Sequence, residues 1–288
     1  MASAAKIKTY HFLPHKYGLE LLLDIGRIET LNHYVLDKTL HQLSFYEIIF
    51  IEEGTGTFTL DENRIPITPQ TVIFTSPGQI RCWEIEKKVK GYTLFFDKDF
   101  LHLFFSDELF LHRFQYFHQY SRPTGMEISE ESFGKCLNLL HGIEQEFGQL
   151  QNDSNHLIRS FLYQLLVILN RFYANVYNVQ RDTHVHSDFY RFRSLLEKKF
   201  VDDRSVEAYS KMLTISPGFL NKICKQFSGL SAQQMIHYKL ISEIKKQLYQ
   251  NKSAKEICYE FGFSDPSNFN RFFKKFTGIT PQQYRKNI

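Results

Sequence analysis

The 288-residue sequence predicts an α+β chain in two parts. An N-terminal β-barrel or sandwich with two long helices comes first. An all-α module with two helix-turn-helix motifs follows. Three features of the chain point there. Short runs rich in Ile, Phe, Tyr and Thr alternate with turn residues between positions 45 and 96. Residues 216–229 recur, 49 positions later, as residues 265–278. Charge is also divided: residues 189–288 hold 18 Lys and Arg against 8 Asp and Glu, which leaves 17 against 23 in residues 1–188. A basic module joined to an acidic one points to a polyanionic partner for the basic part alone.

The strands come first. The run 45–51 precedes a Gly-rich turn at 52–56, and 57–60 follows it. The turn 61–63 leads into 64–67, then 71–75. Ser76-Pro77-Gly78 breaks the chain before 80–85 and 91–96. Residues 97–105 and 107–120 read as short aromatic-rich helices. A longer helix over 132–150 places Cys136, Leu140, Ile143, Phe147 and Leu150 at spacings of 4, 3, 4 and 3, a heptad seam. That seam either packs on the next helix or meets a second copy of the chain. The helix over 154–173 carries a wide apolar face of Ile158, Phe161, Leu162, Leu165, Ile168, Leu169 and Phe172, expected to lie against the sheet. The polar run 175–188 reads as a linker. The expected division is therefore 1–175, a linker at 176–188, and 189–288.

Each copy of the repeat has the same physical reading. Ser216 and Asp265 can cap a first turn, because their side-chain oxygens accept from its free N–H groups. Pro217 and Pro266 occupy the first helical position, where a missing N–H costs little. Leu220, Ile223, Cys224 and Phe227 share one face, as do Phe269, Phe272, Phe273 and Phe276. Asn221, Lys222 and Lys225 take the other face, matched by Asn270, Arg271, Lys274 and Lys275. Gly229 and Gly278 suit left-handed helix ends. A shorter helix precedes each copy, at 205–213 and at 253–261, the second opened by a Ser253/Glu256 capping box. Helix, tight turn and basic helix make a helix-turn-helix, and residues 232–250 join the two.

The run Gly262-Phe263-Ser264-Asp265-Pro266-Ser267-Asn268-Phe269-Asn270-Arg271-Phe272-Phe273-Lys274-Lys275-Phe276-Thr277-Gly278-Ile279-Thr280-Pro281-Gln282-Gln283-Tyr284-Arg285 resembles the signature of AraC/XylS-type transcription regulators. In the first copy Val206, Tyr209, Leu213, Ile215, Ser216, Leu220, Lys225 and Gly229 fall where that family has them. Ser210 and Cys258 depart from its usual alanines, Lys239 from its arginine, and Ile244 from another alanine. The resemblance covers about residues 185–288. More loosely, Tyr46-Glu47-Ile48, Glu52-Glu53-Gly54-Thr55-Gly56 and Pro77-Gly78-Gln79 resemble the cupin-like effector domain of such regulators.

The resemblance implies a sequence-specific, double-stranded-DNA-binding transcription factor, controlled by a small-molecule effector of unknown identity. It also implies a homodimer, and RNA polymerase as a partner if the protein is an activator. Gly218, Asn221, Lys222, Ser267, Asn268, Asn270 and Arg271 are the expected base readers. Ser216, Lys225, Asp265, Lys274, Lys275 and Arg285 are the expected phosphate holders. Tyr46, Arg81 and Trp83 are the candidate effector-pocket residues. For Arg81 a plain surface position is the alternative. The β-domain could instead bind a protein partner or only dimerise.

A metal-dependent cupin enzyme is disfavoured, and neither metal nor cofactor is expected. No His-x-His stands in the strand, and Arg81 occupies the place of the second-motif histidine after Pro77-Gly78. Arginine does not ligate a metal at ordinary pH. His184-x-His186 lies in the linker with no third ligand. Cys82, Cys136, Cys224 and Cys258 show no paired spacing and read as reduced thiols. No stretch approaches the ~20 apolar residues of a membrane span, and residues 1–6 lack an apolar signal core. A cytoplasmic protein is expected.

Overall fold

β-branched and aromatic residues dominate positions 45–96, and such side chains suit a pleated, half-buried surface. In the computed structural model they form most of one eight-stranded sheet. The structure describes residues 7–14, 16, 21–31, 39–102, 111, 114–117, 123–178, 187–249 and 252–286. The chain divides into a unit Lys8–Thr183 and a second that includes His184–Ile288.

The strands are β1 (Lys8–Tyr10), β2 (Leu23–Arg27), β3 (His41–Leu43), β4 (Tyr46–Leu60), β5 (Asn63–Ile67), β6 (Thr71–Thr75), β7 (Ile80–Phe96) and β8 (Gly125–Glu127). Two of the expected breaks are not breaks. Residues 52–56 lie inside β4 and residues 86–90 inside β7, and the two long strands pair antiparallel throughout. The glycines that read as a turn are bends. The register shifts between Ile51 and Gly56, and Gly54, Gly56 and Gly91 all take positive φ. A Cβ on Gly91 would lie 1.9 Å from the Phe50 carbonyl oxygen. A bulge adds twist and bends a strand, so β4 and β7 each serve two halves of the sheet. The first half of β4 pairs with β6 and the end of β7; its second half pairs with β5 and the start of β7.

The fold-over gives the sheet an inner and an outer face. Leu43, Ile49, Ile51, Phe58, Leu60, Ile65, Ile67, Ile73, Trp83 and Phe95 fill the inside. Ile48, Phe50, Val72, Phe74, Leu94 and Phe96 face outward beneath the helices. The strand period of two assigns neighbours to opposite faces. Tyr46 therefore lies under the helices, stacked 5.3 Å from Phe96, whereas Trp83 lies inside. These two do not line one pocket.

Arg81 is neither a surface residue nor a pocket reader. It is 1 % exposed and paired with Glu47, 0 % exposed. Its Nη1 contacts Glu47 Oε2 closely, and its Nη2 donates to Oε1 at 3.2 Å. Thr93 Oγ1 donates to the same carboxylate at 2.8 Å and Thr75 Oγ1 at 3.3 Å. The Phe58 ring covers the guanidinium at 5.1 Å. Both charges are consumed internally, leaving the inside of the sheet close to neutral.

Helices α1 (Lys98–His102), α2 (Glu130–Gly148) and α3 (Ser154–Val176) follow. The expected helix at 97–105 is thus described only at its start. Of 107–120, a 3-10 turn at Gln115–Phe117 is described and most of the remainder lies outside the described residues. Cys136, Leu140 and Ile143 on α2 are fully buried in one core with Ile158, Leu162, Leu165 and Leu169 of α3 and the outer sheet face. Phe147 and Leu150 pack against that core. From Cys136 to Ile143 the heptad seam is therefore internal packing, because a side chain with no exposed surface in its own chain cannot meet a partner. Burial also pushes the Cys136 and Cys224 thiols up to about 12, which keeps them protonated and unreactive.

The second unit comprises α4 (Ser187–Lys199), α5 (Val206–Leu213), α6 (Pro217–Ser228), α7 (Ala232–Tyr249), α8 (Ala254–Glu260), α9 (Pro266–Thr277) and α10 (Pro281–Lys286). α4 and α10 were not expected from the sequence. The expected linker at 176–188 falls mostly outside the described residues, as do His184 and His186. Among the described residues, no helix is long and apolar enough to cross a membrane.

Removing one partner of a buried ion pair strands the other, which costs about 3–5 kcal/mol. Glu47→Ala should therefore destabilise the first unit by about that amount in urea unfolding. Glu47→Leu combined with Arg81→Met should recover most of the loss. A Glu47→Ala protein as stable as the wild type would contradict the structural role of the pair.

Candidate nucleic-acid interface

Each basic helix starts where the sequence places its cap. Ser216 Oγ accepts from Phe219 N at 3.2 Å, and Gly229 ends α6 at φ +74°. Asp265 Oδ1 accepts from Ser267 N at 2.8 Å and Asn268 N at 2.9 Å, and Gly278 ends α9 at φ +78°. The Asp265 carboxyl is held below its usual range chiefly by the Asn268 backbone hydrogen bond, with Arg271 contributing. An anion already bonded to these N–H groups repels a phosphate. Phe269 N is bonded too, to the Asp265 carbonyl, and Pro266 has no N–H. The first turn of α9 itself, Pro266 to Phe269, therefore has no backbone donor left for DNA, and the phosphate role expected for the Asp265 carboxylate does not fit.

Apolar residues face inward in both copies. Leu220, Ile223 and Cys224 are buried on α6, and Phe269 and Phe273 on α9. Gly218, Lys222, Lys225, Ser267, Asn270, Arg271, Lys274 and Lys275 are exposed. Gly218 faces open space: a Cβ there would meet nothing within 4 Å.

Three expected contact residues are placed differently. Asn221 Oδ1 accepts from Ala232 N at 3.0 Å and so holds the start of α7. Asn268 is a hub. Its Nδ2 donates to Ser264 Oγ at 2.9 Å and Asp265 Oδ2 at 2.6 Å, and its Oδ1 accepts from Arg271 Nη2 at 2.5 Å. Asn268 thus aims Arg271. Arg285 is half-buried, and its Nε and Nη2 are shielded from solvent with no hydrogen-bond partner among the described residues, unlike an exposed phosphate contact.

One helix ties the two motifs together. Leu240, Ile241, Ile244 and Leu248 of α7 share a core with Ile257, Cys258, Phe261, Phe269 and Phe273 of the second motif. At its other end Ser228 Oγ on α6 lies 3.3 Å from Met235 Sδ. Arg204, just before α5, adds a cross-brace that sequence reading missed. Its guanidinium stacks 4.2 Å from the Phe263 ring in the turn of the second motif, and Gln233 on α7 donates to its carbonyl at 3.1 Å. An arginine beside a distant aromatic carries no short-range signal.

The first unit holds a cavity of about 180 Å³ lined by Tyr10, His11, Phe12, Leu13, Lys16, Asp24, Leu31, Phe45 and Phe95. Lys16 and Asp24 are paired there at 2.7 Å. None of Tyr46, Arg81 or Trp83 lines it. Its walls come from the chain before β2, from Asp24 and Leu31 in and after that strand, and from Phe45 and Phe95, which local patterning could not bring together.

A helix-turn-helix domain family model matches residues 209–287, and an AraC-like ligand binding domain model matches residues 30–166. The HTH-type transcriptional activator RhaS of Escherichia coli strain SE11 is 22% identical over 247 residues, covering 85% of this chain and 87% of the relative. RhaS of strain HS aligns with the same identity and coverage. Among solved structures, ToxT from Vibrio cholerae aligns over 92% of this chain and 97% of its own, with 12% identity and a TM-score of 0.44. The C-terminal domain of AraT from Geobacillus stearothermophilus covers 37% of this chain and 89% of its own, with 25% identity and a TM-score of 0.35.

A ligand-binding β-domain followed in the chain by a doubled helix-turn-helix module defines a DNA-binding transcription regulator. The chain belongs to the AraC/XylS-type regulators and carries that family's N-terminal effector domain.

His237 supplies a pH test of the second motif. It lies on α7 against the Phe272 and Phe276 rings, 5.5 and 4.8 Å away, with Gln233 Nε2 at 2.8 Å from its Nε2. Burial, then the charge of Lys275, lowers its pKa below the ordinary 6.5. The unfolded chain therefore takes up the proton first. Stability is intact above about pH 6.5 and falls as pH drops through that value toward the lower folded pKa. Thermal melts between about pH 7.5 and about pH 5.5 should show this fall, and His237→Gln should flatten it. An equal slope in both proteins would show that other groups dominate.

Proposed function

We infer that α6 and α9 each enter a DNA major groove, and that ligand occupancy of the cavity in the first unit controls how they are presented. The carrying observation is the pair of equivalent, exposed basic faces: Gly218, Lys222 and Lys225 on one helix, Ser267, Asn270, Arg271, Lys274 and Lys275 on the other. Both are anchored to one helix of 18 residues, about 27 Å long at ~1.5 Å per residue. That length suits two readers spaced near one DNA turn, ~34 Å. Arg271 can take guanine in two-pronged fashion, and Lys222, Lys225, Lys274 and Lys275 supply charge to phosphates. On this reading the protein is a cytoplasmic regulator rather than an enzyme. It works as a homodimer whose interface lies outside the Cys136–Ile143 seam, and it meets RNA polymerase where it activates.

Arg271→Ala should cost ~1–3 kcal/mol at the preferred site and relax one base position. Lys274→Ala should weaken all sequences alike and reduce the salt slope by ~0.9. Binding-site selection followed by titration at several salt concentrations reads both. An Arg271→Ala protein with unchanged affinity and unchanged selected sequence would remove α9 as a reader.

The cavity is a little larger than the ~150 Å³ apolar cavity known to take benzene. Its wall is mainly aromatic, and its one described ion pair is self-neutralised. It therefore suits a compact, mostly apolar effector of about one ring. Indole or benzyl alcohol should raise the melting temperature of the intact protein, by up to ~2.7 kcal/mol of stabilisation at about 100 Kd. Hexoses should not, and Leu31→Trp should abolish the effect by filling the space. Stabilisation by a hexose that survives Leu31→Trp would move the effector elsewhere.

A further inference from the structure

Asn221 and Asn270 hold equivalent positions in the two copies, yet the next helix treats them differently. Both following helices open on the same capping box. Ser231 Oγ accepts from Gln234 N at 3.2 Å while Ser231 N donates to Gln234 Oε1 at 2.8 Å. Thr280 Oγ1 accepts from Gln283 N at 3.2 Å while Thr280 N donates to Gln283 Oε1 at 2.9 Å. The copies diverge one residue later. Ala232 is fully buried and has an N–H; a buried donor without a partner is costly, and Asn221 Oδ1 supplies one at 3.0 Å. The equivalent residue in the second copy is Pro281, which has no N–H to satisfy. Asn270 therefore has no such duty, and its side chain is exposed.

Two-pronged reading of adenine needs both ends of the amide. The oxygen accepts from N6–H and the nitrogen donates to N7. The Asn221 oxygen can accept a second bond, but the bond to Ala232 N fixes its half-buried amide against the start of α7, so oxygen and nitrogen cannot turn together onto a base edge without releasing the Ala232 N–H. We propose that the two helices read unequally: Asn270 determines specificity in the second half-site, whereas Asn221 positions α7 and reads no base. The Ala232/Pro281 difference sets the split. This rests on the major-groove reading given above.

The test is selection from random double-stranded DNA by intact wild-type, Asn221→Ala, Asn270→Ala and Pro281→Ala proteins, with melting temperatures measured alongside. Asn270→Ala should lose roughly tenfold discrimination at one position of the second half-site, with an unchanged melting temperature. Pro281→Ala creates a buried N–H that captures Asn270 as Ala232 captures Asn221, so it should lose discrimination at that same position. Asn221→Ala should lower the melting temperature and leave the selected sequence unchanged.

An Asn270→Ala protein that keeps full discrimination overturns the proposal while leaving the major-groove reading intact. So does an Asn221→Ala protein that is fully stable but has lost a base preference. A Pro281→Ala protein that discriminates as the wild type does overturns the role given to the proline. A wild-type protein that selects no sequence overturns the groove reading and this proposal together.

Discussion

A polar group taken out of water must find a partner, and most of the positions that matter in this chain are settled by that requirement. The first unit closes around a carboxylate that accepts from an arginine and two threonines. The second unit seats its linking helix α7 through an asparagine that answers one buried N–H. In both places a residue that could have faced a ligand or a base is used to complete the fold. Function is left to groups that the fold does not need.

In the first unit this fills the centre of the folded sheet with side chains. Arg81, Glu47, Trp83 and Phe58 occupy the interior of the folded sheet as side chains. Among the described residues, open volume is found where Phe45, Phe95 and Leu31 meet the segment around Tyr10 and Phe12. The other face of the same strands is closed by α2 and α3, whose apolar stripes are wide enough to cover the sheet and each other. A stripe with coiled-coil spacing is thereby consumed inside one chain. Spacing alone does not tell a partner helix from a neighbouring one, because both present the same apolar surface to the seam.

The second unit shows how a repeated sequence gives unequal copies. Caps, helix lengths, left-handed ends and apolar faces are shared. The differences lie in the polar shell: an aspartate cap that takes both the Ser267 and Asn268 N–H groups, an asparagine hub beneath Arg271, and a proline where the other copy has an alanine. Ile244, in place of an expected small residue, is fully buried in the α7 core. Arg204 and Arg285 count toward the basic charge of the module, yet both are half-buried, and each has nitrogen shielded from solvent. Net charge therefore overstates the cationic surface offered to DNA.

The sequence by itself determined the two helix-turn-helix motifs nearly to the residue. Caps, prolines, glycines and helical spacing act over three or four positions and leave local marks, so α5, α6, α8 and α9 start and stop close to where Ser205, Ser216, Ser253 and Asp265 say they do. It also determined the strand-rich character of residues 45–96, and from the match around Gly262–Arg285 the family. Only the tertiary structure decided that the glycines of residues 52–56 bend one long strand instead of ending it. The same is true of the fate of Arg81, which finds Glu47 in another strand, of the Cys136–Ile143 stripe, which faces α3 and the sheet, and of Asn221, which answers a helix eleven residues on. Each outcome depends on which groups meet across distant segments after folding. Neither the residue types nor the helical and strand periods say which of these groups will meet.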